Sequence, residues 1–419
     1  MKSLFIIFSF ICFLRPQFLL AGGTKTNSSI REYYGQSIED ILKLPEDKID
    51  IGLASLILAK EFYPNLNIPF FLKAFDYLGD RFLYYFGKYT NPDDRIAALN
   101  TYLYRPGFWN DSVAFSYDDD DLEVAKLKNN FINGYIASKK GSCITMPLLY
   151  IIMGQKIGFP IYPVRSAKHF FARYIPEKPI KHFRENIEAT NGGGFISDEQ
   201  YKEDILIPER AIKNGVYLRT LTKKQYIASL LLVNADEYLR QRNIEKAKEY
   251  YLLAIVYDST FSPAYWNYGL TAFGEARELE DKMWNEKQNY IDQNEPSINL
   301  TNQNSNVEEY PPIPNPNLQK RFQKGVTQPE PKPFSFGKLN NNDLQHDNVS
   351  TNHIIQVAEL HIVLRGIEDK YKPLILEKIK IYKEYTQKAE QLGIVHEFPV
   401  KFFQKQSESI KKFKQKGCY

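Results

Sequence analysis

Three residues in one order, Cys143, His169 and Glu188, hold the chemistry this sequence can offer. A thiol, an imidazole and a carboxylate have the types needed for a nucleophile, a proton carrier and a group that fixes the imidazole tautomer. Each alone has a simpler reading. A lone cysteine at a helix start is commonly a small packed residue, and a lone histidine in a strand is commonly just hydrogen-bonded. The local pattern around them is what points to chemistry. Cys143 stands in Gly141-Ser142-Cys143-Ile144-Thr145-Met146-Pro147-Leu148-Leu149-Tyr150, ahead of apolar residues at Ile144, Leu148, Leu149, Ile151, Ile152 and Ile157. That spacing predicts a helix from Ser142 to Gly158, with Pro147 tolerated in the first turn and a glycine at the stop. Cys143 then sits at a helix N-terminus, where the partial positive charge favours an anionic sulfur.

From Phe159 the pattern turns to strands: Ile161 to Val164, Lys168 to Tyr174, and Phe183 to Glu188. Alternation puts His169, Phe171 and Arg173 on one face of the second strand, and Phe170 and Ala172 on the other. Glu188 reaches His169 if the second and third strands pair. Asn186 shares its face, so spacing alone does not separate the two as the third member. His182 precedes the third strand in a lysine-bearing connection and reads as exposed. No paired Cys or His spacing supports zinc, and Gly192-Gly193-Gly194 reads as a turn rather than a phosphate loop, so no metal and no cofactor are expected.

The elements around this core follow in sequence. Met1 to Gly23 reads as a secretory signal, with Lys2, an apolar run from Leu4 to Leu14 and small residues at Ala21-Gly22-Gly23, too short a run to span a bilayer comfortably. Of three cysteines, Cys12 lies in that segment and Cys418 in a basic tail, which leaves Cys143 as a free thiol. Residues 24–98 carry helical periodicity with an aromatic stripe. The run Asp118 to Asp121 lacks the alternating ligands and central glycine of a calcium loop, and reads as a cap on a helix spanning Leu122 to Ile136. Residues 205–284 are helical, and Ala235, Tyr238, Ala247, Tyr251 and Ala254 fit the spacing of a tetratricopeptide repeat, with Gly269 at the next repeat's small position. Residues 285–351 are rich in Asn, Gln and Pro and read as a disordered linker, and residues 352–419 as a helical hairpin with a lysine-rich end. A net charge of +4, from 54 basic and 50 acidic side chains, gives no reason to expect a nucleic-acid partner.

The Gly141-Ser142-Cys143 helix start, the Lys168-His169-Phe170 strand and Asn186-Ile187-Glu188-Ala189-Thr190 with its glycine-rich turn resemble the transglutaminase-like core of the papain-like cysteine superfamily. The closer likeness is to its bacterial branch, in which such a core is joined to tetratricopeptide repeats. The resemblance covers Leu99 to Tyr268 and implies an α+β fold: a helical N-terminal part, a core over 99–204 in which the Cys-bearing helix packs on an antiparallel sheet, then repeat-like helices. It implies a Cys143, His169 and Glu188 triad acting on an amide of a protein or peptide, by hydrolysis or acyl transfer. The family's acid usually stands in Asp-Pro-Thr, so Glu-Ala-Thr keeps the charge and adds a methylene. Papain-like proteases often use Asn there, which keeps Asn186 a candidate beside the favoured Glu188. The Cys143 N–H would be one oxyanion donor, with Asn100, Tyr135 and Ser142 as candidates for the second. The alternative is an inactive scaffold that binds a partner protein through its repeat-like helices. Either form is expected to be exported, periplasmic or secreted, without a stable membrane span.

Overall fold

The computed structural model describes residues 36–294 and 351–395. The expected signal segment, Cys12, the part of the expected linker over 295–350 and the tail bearing Cys418 lie outside the described residues. No helix among the described residues is long and apolar enough to cross a membrane.

The first helices are α1 (Ile38–Lys43), α2 (Ile51–Lys60), α3 (Ile68–Phe86) and α4 (Pro92–Tyr104). Asp50, Asn67 and Asn91 cap α2, α3 and α4 by accepting from Leu53, Phe70 and Asp94, and a proline stands in the first turn of both α3 and α4. Next come β1 (Ser116–Tyr117), α5 (Leu127–Asn130), α6 (Ile132–Ser138), β2 (Lys140–Gly141) and α7 (Thr145–Ile157). The single helix expected over Leu122 to Ile136 is thus two short ones that begin at Leu127. Asp121 turns its carboxylate onto the N–H groups of Ala125 and Lys126, and Val124 takes a left-handed φ of 53°, so the chain before Leu127 is held in a turn.

Helix α7 is buried along almost its whole length, from Thr145 through Gly154 and again at Ile157. It packs between α3 on one side and the sheet on the other. That sheet runs β3 (Ile161–Ser166), β4 (His169–Tyr174) and β5 (Asn186–Ile187), antiparallel in that order. Ser166 faces His169 across the β3–β4 hairpin, and Arg173 faces Asn186 across β4–β5. Alternation along β4 sends Phe170, Ala172 and Tyr174 into the large helical core, and Phe171 into a second core with Val164 and Tyr201. β1 and β2 form a short parallel pair, Tyr117 opposite Gly141.

The remaining elements are α8 (Asp198–Ile205), α9 (Glu209–Lys213), α10 (Lys223–Arg240), α11 (Ile244–Tyr257), α12 (Ser262–Asn294) and α13 (Thr351–Leu392). The large core runs without a break from Ile38 to Ala264, across the boundaries expected at 98/99 and 204/205. One side chain carries much of this union. Arg165 on β3 donates to Val216 O (3.1 Å), Ser229 Oγ (2.9 Å) and Asp258 Oδ2 (2.8 Å), and lies 3.9 Å over the Phe261 ring. Arg219 donates to the other oxygen of Asp258 at 3.1 Å.

Helices α10 and α11 pair, with Ala235, Tyr238, Ala247, Tyr251 and Ala254 buried. Two expectations change beyond them. Residues 285–294, assigned to the linker, continue α12 to Asn294, and within the region assigned to a hairpin the described residues form one helix, Thr351–Leu392, with Pro373 inside it, while 396–419 lie outside the described residues. The partner of that helix is α12. Lys370 pairs with Glu286, Lys378 with Glu275, and Gly269 lies against Thr386, so the two run antiparallel. Gly269 therefore admits α13 rather than a second repeat's helix.

Candidate functional site

The approach to Cys143 is built from the acidic run. Asp118 and Asp121 both accept from the Asn129 amide, at 2.9 and 2.6 Å, and Lys128 lies 3.0 Å from Asp118. Burial would raise the Asp118 carboxyl, but the Asn129 and Lys128 hydrogen bonds and the charges of Lys128 and Lys126 bring it down to about 2. Asn129 in turn accepts from Ser142 Oγ through its backbone oxygen at 2.7 Å. Ser142 Oγ receives the N–H groups of Ile144 (3.1 Å) and Thr145 (3.4 Å), while Thr145 Oγ1 receives the Ser142 N–H at 3.0 Å. Helix α7 thereby begins three residues later than the spacing suggested, and Cys143, half-buried, stands just ahead of it as a free thiol.

His169 opens β4 directly after the hairpin turn at Lys168, which takes φ 49°. Its Nε2 is 2.7 Å from Glu188 Oε2, with the two side chains 2% and 0% exposed. The thiol of Cys143 hydrogen-bonds the same ring, and with Nε2 given to the carboxylate, Nδ1 is the nitrogen left for it. Burial alone would push the imidazole down. The Glu188 charge, together with hydrogen bonds to Cys143 and Glu188, outweighs burial and raises it to about 10. Burial likewise works to raise Glu188, and the His169 charge and hydrogen bond, with those of Thr190 and Tyr201, hold it below the usual carboxylate range.

Glu188 is held on every side. Thr190 donates to Oε1 from its backbone N–H (3.0 Å) and its hydroxyl (2.6 Å), and Tyr201 donates to Oε2. Tyr201 comes from α8 and is placed by stacking on Phe171, with centroids 4.4 Å apart. No sequence signal marks its role, because nothing in α8 advertises a partner on β4. Asn186 lies elsewhere. It accepts from Arg173 Nε at 2.8 Å and donates to Asp198 Oδ1 (2.8 Å) and Ile196 O (2.9 Å). His182 is exposed on its loop.

The glycine-rich turn fixes the backbone of Glu188. Glu188 N–H donates to Gly194 O (2.7 Å), and Gly193 N–H donates back to Glu188 O (3.0 Å). Asn100 Nδ2 donates to Gly193 O at 2.9 Å, and its Oδ1 accepts from Tyr150 of α7, also at 2.9 Å. Gly193 has φ 80°, and a Cβ there would collide with Asn100. Gly193→Ala is therefore expected to lose about 1–3 kcal/mol, read as a lower urea midpoint, because the turn must rotate away from Asn100. An unchanged midpoint would mean that the turn is not under this constraint.

The expected second oxyanion donors are engaged or enclosed. Asn100 spends its amide on Gly193, Ser142 spends its hydroxyl on Asn129, and Tyr135 is fully buried against Phe115, their centroids 5.1 Å apart. No acceptor among the described residues takes the Cys143 N–H. Among the described residues no group of three or more His, Cys, Asp or Glu could hold a metal ion.

No curated protein and no solved structure matches the chain. A family model of the transglutaminase-like superfamily matches residues 71–231, a span that starts in α3 and ends in α10, and no tetratricopeptide family model matches. Cys143, His169 and Glu188 all lie within the span, residues 71–231, that is similar to that superfamily.

Proposed function

We propose that the chain is a cysteine hydrolase or acyltransferase that cleaves an amide of a protein or peptide through Cys143, His169 and Glu188. The observation that carries this reading is the single buried imidazole shared between the Cys143 thiol and the Glu188 carboxylate. His169 Nδ1 holds the proton taken from the thiol before attack, so the sulfur adds to the carbonyl carbon as an anion paired with imidazolium, and the Cys143 N–H donates to the oxygen that becomes negative. As the tetrahedral adduct collapses, the C–N bond breaks and the leaving amine takes its proton from His169. Water, or a second amine, then resolves the thioester with His169 as base. Glu188 keeps the Nε2–H in place throughout and stabilises the imidazolium. We take residues 1–23 as an export leader, on the apolar run and small residues of the sequence alone, which would put this chemistry outside the cytoplasm.

The test is the rate of iodoacetamide labelling of Cys143 across about pH 4 to 9, with Cys418 as internal comparison and His169→Ala beside the parent. Labelling of Cys143 is expected to outpace Cys418 well below pH 8, because His169 stays protonated there and stabilises the sulfur anion. The advantage disappears in His169→Ala. If both thiols instead follow one ordinary titration, unchanged by His169→Ala, the proposal fails.

A further inference from the structure

Tyr117 is the one tyrosine that the β1–β2 register brings beside the nucleophile's loop. It pairs with Gly141, two residues ahead of Cys143, and the next N–H, that of Asp118, closes the bridge onto Gly141 O at 2.8 Å. The ring is 7% exposed, and its hydroxyl donates to no protein acceptor among the described residues. That hydroxyl is not among the fully buried oxygens left without a partner, so it keeps contact with solvent and a substrate carbonyl can approach it. Its neighbours leave it protonated. Burial first, then the charges of Cys143, Asp121, Asp119 and Glu188, raise its pKa far above the ordinary tyrosine value. The phenol and the Cys143 sulfur are thus near enough for their charges to interact, and the hydroxyl stays a donor at any pH at which the thiol reacts.

We propose that Tyr117 is the second oxyanion donor, its O–H and the Cys143 N–H together receiving the carbonyl oxygen of the bound acyl group. This rests on the hydrolase reading above and adds a residue to it. With p-nitrophenyl acetate as probe, the Cys143 sulfur forms a bond to the carbonyl carbon, and the C=O electron pair moves onto oxygen, which accepts from Tyr117 and Cys143. The pair then returns, the C–O bond breaks, and p-nitrophenolate leaves with the electron pair, giving an acetyl thioester that water hydrolyses to acetate. Tyr117 gives up no proton in any step.

Two reactions of the same sulfur separate the roles. Acylation by the ester passes through an oxyanion, whereas alkylation by iodoacetamide is a direct displacement with none. Tyr117→Phe is expected to slow Cys143 acylation about 10²- to 10³-fold, the usual loss for one such donor, while leaving the iodoacetamide rate and its pH profile within about twofold of the parent. Acylation unchanged in Tyr117→Phe overturns the inference. So does a parallel fall in both rates, which would assign the hydroxyl to packing of the Cys143 loop. A parent that shows no acylation abolished by Cys143→Ser overturns the hydrolase reading, and the donor role with it. Acylation in the parent that Tyr117→Phe leaves intact removes the donor alone.

Discussion

Glu188→Gln is expected to lower acyl transfer at Cys143 by about 10²- to 10⁴-fold while the chain stays folded. Glu188 accepts four times: from His169 and Tyr201 on Oε2, and from the Thr190 N–H and hydroxyl on Oε1. A glutamine has one acceptor oxygen for these four donors. The Thr190 N–H is fixed by the backbone and claims that oxygen, so the new NH₂ faces His169. The imidazole must then accept at Nε2 and carry its proton on Nδ1, toward the sulfur it should deprotonate. The largest influence on His169 is the burial that lowers it, and without the Glu188 charge nothing of comparable size opposes that. The variant should therefore lose its imidazolium below neutral pH, where the parent keeps it until pH rises through about 10.

The same pair makes stability depend on pH from both sides. The raised imidazole stabilises the fold fully below about pH 6.5, its ordinary value, and that contribution fades as pH climbs toward 10. The lowered carboxyl contributes above its ordinary value of about 4.5 and loses its share as pH falls through the folded value. Acyl transfer from a p-nitrophenyl ester, followed from pH 5 to 9 in parent and Glu188→Gln, checks the central claim. Rates equal within about threefold throughout would show that the carboxylate does not orient the base.

The second large effect concerns the fold. Asp258→Ala is expected to cost about 3–5 kcal/mol, because it strands two guanidiniums, one of them buried. Arg165 is 3% exposed and Arg219 30%, and both close on that carboxylate. Arg165→Met with Asp258→Leu should recover much of the loss, since apolar groups of similar volume replace a desolvated pair at little cost. Urea unfolding of the single and double variants decides the matter, and a single-variant loss below about 1 kcal/mol would remove Asp258 from the joint between the sheet and the helices.

The sequence made the Cys143 helix, the three strands and the His169 face legible, because a buried helix and a half-buried strand each impose a period on apolar residues. It could not choose between Asn186 and Glu188 for a specific reason. Strand parity holds only inside the strand, and β5 ends at Ile187. Asn186 stays in the ladder opposite Arg173, whereas Glu188 already caps the turn at Ala189–Asn191 and is free to swing to His169. Tyr117 was not legible, because a two-residue parallel bridge has no period to read. The same limit explains α13: helical spacing shows which face is apolar and not which helix covers it, so a pairing across the chain looked like a hairpin within it.

One chain of hydrogen bonds also bears on motion. Tyr150 on α7 holds Asn100, Asn100 holds Gly193, and Gly193 holds the backbone of Glu188. The sulfur and the carboxylate therefore ride on one frame, joined through the nucleophile's own helix, and a thermal displacement of that helix carries both. Reacting groups must keep their spacing to about 0.5 Å to remain productive. Here that tolerance is met by groups drifting together, which leaves the histidine hairpin as the member whose independent fluctuation would govern how often the site is in register.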